Sequence, residues 1–151
     1  MENTNEKNKA TFTHLSTLTQ YFIPFGNFIF PIIIWSSANK DSEFVQNHGK
    51  QAINFQLSLL LYTLALGLIA IPILIYSIFN NVPFSALDRG DDIFFEYFTA
   101  GNITGIVVIA IMAITIFAFM KIAEFFLIIY AAVKAANGEN YVYPFTIRFI
   151  K

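Results

Sequence analysis

The sequence predicts an all-α integral membrane protein with about three transmembrane helices and an amphipathic surface helix between the first and second. Three observations carry that expectation. Hydrophobic residues make up 56 % of the 151 and charged residues 13 %, whereas a soluble domain carries about 25 % charge. The apolar residues gather into runs at 13–35, 57–79 and 103–133, each reaching the roughly 20 residues needed to cross the hydrocarbon core. One sustained polar stretch, NKDSEFVQNHGKQAINFQ at 39–56, separates the first two runs. At this length one domain is expected, 12–151, after a polar tail.

The tail, 1–11, is rich in Asn, Lys and Glu and reads as disordered. Lys7, Lys9, the apolar run to Trp35 and the small residues Ser36, Ser37 and Ala38 imitate a cleavable signal peptide. Pro24, Pro31 and the length of the run oppose cleavage. Within the first span, Thr13, Thr17, Gln20, Pro24, Asn27 and Pro31 recur at spacings of three and four. They form a polar and proline stripe on one helical face. Gln20 and Asn27 are costly against lipid but can hydrogen-bond to other helices. The stripe is thus a packing seam in a bundle or the lining of a pathway, and the prolines predict a kink.

In the polar stretch Asp41 and Ser42 are suited to cap a helix and Glu43 to face its dipole. Phe44, His48, Ala52 and Phe55 share one face, while Lys50 and Gln51 point away from it. This predicts a surface helix over 42–55 that runs directly into the second span. Asn54 and Gln56 stand at that junction, where they cap and hydrogen-bond. The segment 80–102 reads as a loop. Its Asp88, Asp91, Asp92 and Glu96 match no EF-hand spacing and read as a solvated acidic surface. Phe94, Phe95, Tyr97 and Phe98 behind them suit an interfacial anchor.

The third run has no internal turn chemistry and predicts one helix about 45 Å long. Lys121 and Glu124 interrupt it three residues apart. They are a structural ion pair, or a functional one that couples protons or ions or docks a partner. Gly101 and Gly105 form a weak GxxxG signal. Gly138 suits the left-handed residue that ends a helix, with Lys134 in the last turn. Tyr141 and Tyr143 suit the headgroup belt, and the alternation after Pro144 predicts an extended interfacial tail, 137–151, latched beside the polar stretch.

Three spans put the N-terminal tail and the acidic loop on one side. The stretch 39–56 and the C-terminus, with Lys40, Lys50, Lys134, Arg148 and Lys151, lie on the other, expected to be cytoplasmic. That topology separates His14 from His48 across the membrane, so they share no metal ion. No catalytic, cofactor-binding or metal site is expected, and the absence of Cys removes thiolate chemistry. The net charge of −1 gives no basic face for nucleic acid.

The segments FVQNHGKQAINFQ at 44–56 and AAVKAANGENYVYPFTIRFIK at 131–151, with HLS at 14–16, resemble the Tic-twenty-like family of small bacterial multi-pass membrane proteins. That family carries a domain of unknown function and is distantly similar to the multi-span subunit of the chloroplast inner-envelope protein import machinery. The resemblance implies an integral protein of the bacterial cytoplasmic (inner) membrane and a link to translocation. It marks Phe44, His48, Ala52, Asn54, Phe55, Asn137, Gly138, Tyr143 and Pro144 as family features. Intramembrane candidates from the residues themselves are Gln20, Asn27, Lys121 and Glu124. The expected function is a non-enzymatic accessory subunit whose partners are the lipid bilayer and other membrane proteins or further copies of itself. The alternative is a small transporter or oligomeric channel built on the Lys121/Glu124 pair and the polar stripe.

Overall fold

The computed structural model describes residues 3–37, 42–81 and 104–151. The acidic loop and its aromatic anchor therefore lie almost wholly outside the described residues. Four α-helices are described: α1 (Thr4–Ser16), α2 (Gly26–Ser36), α3 (Glu43–Asn81) and α4 (Thr104–Ala136), with a 3₁₀ turn at Thr17–Tyr21. The chain divides into two compact units, Met1–Leu61 with Lys121–Lys151, and Tyr62–Met120. α3 and α4 contribute residues to both.

The N-terminal segment is helical from Thr4, not disordered. Asn3 and Glu6 form a reciprocal capping box that satisfies two orphan amides at the start of α1. The expected first span is not one helix either. After α1, the hydroxyls of Ser16, Thr17 and Thr19 donate back to the carbonyls of Thr13, His14 and Ser16 at 2.9, 2.7 and 2.6 Å. This draws the chain into the tighter 3₁₀ turn. Pro24 cannot continue a helix, and Phe25 takes φ 59°, a left-handed conformation rare for a bulky residue. Gly26 then restarts the helix hard against the turn, where a Cβ would stand 2.9 Å from the Thr19 carbonyl carbon. α2 has 11 residues, about 16 Å, and is too short to cross.

The stretch 42–55 is no separate surface helix. It is the first third of α3, a 39-residue helix about 58 Å long. Its polar side chains turn inward: His48, Gln51, Asn54, Gln56 and Ser58 are all buried. Gln51 was expected to face water or headgroups and is buried instead, whereas Glu43 stays exposed and Lys50 partly so. Ser42 does cap the helix, accepting from the Val45 amide at 3.4 Å. The third apolar run is one helix, as its lack of turn residues required. α4 spans 33 residues and ends in a full Schellman motif. Gly138 sits at φ 80°, its amide bonds Ala135 O at 3.0 Å, and the Glu139 amide bonds Lys134 O at 2.9 Å.

α3 and α4 are the two described helices long and apolar enough to cross a membrane, through Glu43–Ser77 and Val107–Ala136. Three crossing helices are thus not found among the described residues. Within Tyr62–Met120 large apolar side chains face outward, including Leu68, Ile69, Tyr76, Ile114 and Phe119. The other unit has a core of two small clusters. Ala10, Phe44, Val45 and Ala135 form one; Phe55, Ile128, Ala131 and Tyr143 form the other. Alanines at these contacts let helix backbones approach closely. The buried set holds nearly as many polar side chains as apolar ones. That is the inverse of a water-soluble domain and suits a protein whose surroundings are apolar.

Candidate functional site

The sequence-predicted polar residues converge on Glu124. This carboxylate is 1 % exposed. Its Oε1 accepts from Gln20 Nε2 at 2.7 Å and from Gln56 Nε2 at 3.1 Å, while its Oε2 accepts from Lys121 Nζ at 2.8 Å. Lys121 also donates to Gln20 Oε1 at 3.1 Å, and Asn27 Nδ2 donates to Gln56 Oε1 at 2.7 Å. All four intramembrane candidates therefore belong to one hydrogen-bonded network. Gln20 comes from the 3₁₀ turn, Asn27 from α2, Gln56 from α3, and the ion pair from α4. Each oxygen of the buried carboxylate is matched by a donor, which is the condition for burying a charge at all. Lys121, one-third exposed, is the member that reaches the surface, beside a shallow apolar groove lined by Tyr21, Ile122, Phe125 and Phe126.

Gln56 is the member that sequence reasoning missed as a site residue. Its position at the head of the second apolar run was the available signal, but that signal reads equally as a helix-junction cap.

A second polar cluster corrects the expected topology. His14 and His48, predicted on opposite membrane faces, are both fully buried with His14 Nε2 2.7 Å from His48 Nδ1. The Tyr143 hydroxyl lies 2.9 Å from His14 Nδ1. The prediction failed because it rested on counting 13–35 as a full crossing. Burial pushes the His14 imidazole down to about 3, with His48 adding a smaller effect of the same sign. Burial likewise raises the Tyr143 phenol well above its ordinary value. Each of the two contacts thus shares one hydrogen between neutral groups. His48 Nε2 is buried without a hydrogen-bond partner; the Glu139 main chain interacts with the ring but outside bonding geometry at that atom.

The other motif residues build the same unit. Phe44 meets the His48 ring edge-on at 4.4 Å, and Phe55 stacks on Tyr143 at 4.0 Å. Ala52 is fully buried. Asn54 fastens the tail: its Oδ1 accepts from the Phe149 and Ile150 amides at 3.1 and 2.8 Å, and its Nδ2 donates to Ile150 O at 2.9 Å. Ser58 Oγ accepts from the Ile147 amide at 2.8 Å. Asn137 and Pro144 are exposed. Pro144 precedes Phe145, which sits at φ 56° in the bend that lays the tail on α3.

Among known proteins, the family model described as the MamF/MmsF magnetosome magnetite crystal formation protein family matches residues 5–150. No curated protein matches the chain, and no solved structure does. The match overturns the resemblance to the Tic-twenty-like family, and the link to protein translocation falls with it. Short polar-and-aromatic helix segments of this kind suit any small multi-pass protein, so they do not separate one such family from another.

Proposed function

The chain belongs to the MamF/MmsF magnetosome magnetite crystal formation protein family, and from that membership we propose that it is a non-enzymatic membrane partner in magnetite crystal formation. It works as an accessory subunit beside other membrane proteins or further copies of itself. The observation that carries this reading is the Glu124 network. Every oxygen of the carboxylate is engaged, and the four contributing elements are tied to one another by it. Such a network fixes a scaffold and leaves the apolar exterior for lipid and neighbours. The membrane in this reading is the bacterial cytoplasmic (inner) membrane. The basic residues Lys40, Lys50, Lys134, Arg148 and Lys151 favour a cytoplasmic position for the polar end of the molecule.

A small transporter or channel is the rival, favoured by the partial exposure of Lys121 at the end of the network. One comparison separates the two. The gene is replaced by its Glu124→Gln form in a magnetite-forming cell, crystals are sized by electron microscopy, and the extracted complex is sized in mild detergent. The accessory reading expects altered crystals together with a smaller or missing complex. Altered crystals with an intact complex, and solute flux from pure protein in liposomes that Glu124→Gln abolishes, would sink it.

A further inference from the structure

We propose that residues 10–36 form a re-entrant hairpin that enters and leaves the membrane on one side. α1, the start of α3 and the C-terminal tail then share that side, and the far end of α3 at Asn80 lies on the other.

Two rulers inside one compact unit agree. Both limbs of the hairpin meet the first turns of α3. Ala10 shares a buried cluster with Phe44 and Val45. At the other limb Trp35 donates from Nε1 to Gln46 Oε1 at 2.7 Å. Its ring also lies so close to α3 that a Cβ on Gly49 would stand 2.4 Å from it. The hairpin's turn, by contrast, meets α3 and α4 further along. Asn27 bonds Gln56, ten residues beyond Gln46, and Gln20 bonds Glu124, eleven residues before Ala135 of the Ala10 cluster. At 1.5 Å per residue these intervals are about 15 and 16 Å. The chain advances by that distance and returns, and its turn reaches the level at which the apolar run 57–79 of α3 begins.

The turn is built to enter an apolar medium. Irregular backbone is tolerated there only when its polar groups are met. The Phe22 and Ile23 amides bond Thr19 O at 3.0 and 2.8 Å, the Gly26 amide bonds Ile23 O at 3.0 Å, and Pro24 has no N–H to satisfy. The polar side chains Gln20 and Asn27 point into the network, while Phe22 and Phe25 stand 87 % and 71 % exposed at the tip. The tail supplies the sidedness. Tyr143 bonds His14, and His14 bonds His48, which ties α1, the start of α3 and the tail together. Lys7 and Lys9 then share that side with Lys50, Lys134, Arg148 and Lys151. The basic residues are then far more one-sided than three spans would make them, as the positive-inside bias favours.

The chain has no cysteine, so the unmodified protein is its own blank for labelling. Single variants Asn5→Cys, Asn80→Cys and Lys151→Cys are treated with a membrane-impermeant maleimide in intact cells and again after solubilisation. The second treatment reports that each variant is present. The hairpin expects Asn5→Cys and Lys151→Cys to react alike and Asn80→Cys to react oppositely. Different accessibility of Asn5→Cys and Lys151→Cys, as three full spans require, overturns it. So does equal labelling of all three. Protease protection of N-terminal and C-terminal tags on the otherwise unaltered chain repeats the first comparison without substitutions.

Discussion

Glu124→Gln tests whether the buried network is a scaffold. The substitution keeps the side-chain volume and leaves an oxygen to accept from Gln20 and Gln56. It removes the charge that Lys121 Nζ meets at 2.8 Å. Deleting one partner of a fully buried pair costs about 3–5 kcal/mol. Lys121 is one-third exposed, so water relieves part of its loss and about 2–3 kcal/mol is expected for this variant. Lys121→Met is expected nearer the upper range, about 3–5 kcal/mol, because it strands a carboxylate that has no such access. The double variant removes both charges and leaves amide-to-amide bonds intact. It should be less destabilised than the sum of the singles by about 2 kcal/mol or more. The assay is reversible unfolding in mixed micelles followed by helix content, run as a four-member cycle. Additivity within about 0.5 kcal/mol would refute the coupling and with it the claim that the network holds these elements together.

Gly49→Ala pushes a Cβ into the Trp35 ring, at an expected cost of about 1–3 kcal/mol for overpacking. Trp35 is the one tryptophan of the chain, so its emission should shift as it leaves Gln46; an unchanged spectrum would contradict the close packing of α2 on α3. Asn54→Ala removes the acceptor of the Phe149 and Ile150 amides, costing about 1–3 kcal/mol. It should speed hydrogen exchange at 147–150 while leaving α4 protected. Acid should weaken the fold through His14, whose imidazole is held at about 3 against about 6.5 unfolded. Between those values the unfolded chain binds the extra proton, so stability falls as pH drops, by at most about 1.4 kcal/mol per pH unit. His14→Gln should flatten that slope in unfolding measured from pH 7 to 4.

Much of the helical content was legible because it follows from local chemistry. The long apolar run 103–133, which carries no internal turn chemistry, specifies a helix, and Gly138 specifies its end through a backbone conformation that only glycine adopts cheaply. The individual polar residues were legible too, because Gln20, Asn27, Lys121 and Glu124 each stand out against apolar neighbours. Their convergence was not. Gln20 and Glu124 are separated by 104 positions, and no periodicity links residues on different helices. Gln56 was overlooked for the same reason. Its partners Asn27 and Glu124 lie 29 and 68 positions away, so its local setting shows only a polar side chain at the head of an apolar run.

The misplacement of His14 has a different origin, and it shows how one local misreading propagates in a membrane protein. Sidedness is a parity: each crossing reverses it, so a single miscounted span inverts the assignment of everything on one side of the error. The stretch 13–35 passes a test of length and hydropathy, because those quantities sum over residues and ignore where the backbone turns. The information that it turns was present in Pro24 and Gly26 flanking Phe25. What made the difference is energetic. A left-handed phenylalanine costs of order 1–3 kcal/mol. That strain is sustained because the turn it permits lets Gln20 and Asn27 reach donors and acceptors that a straight helix would carry past into lipid. A polar stripe on an apparent span containing proline is therefore as good a sign of a hairpin as of a kink. The discriminating quantity is whether residues at the two ends of the stretch meet the same turns of another helix.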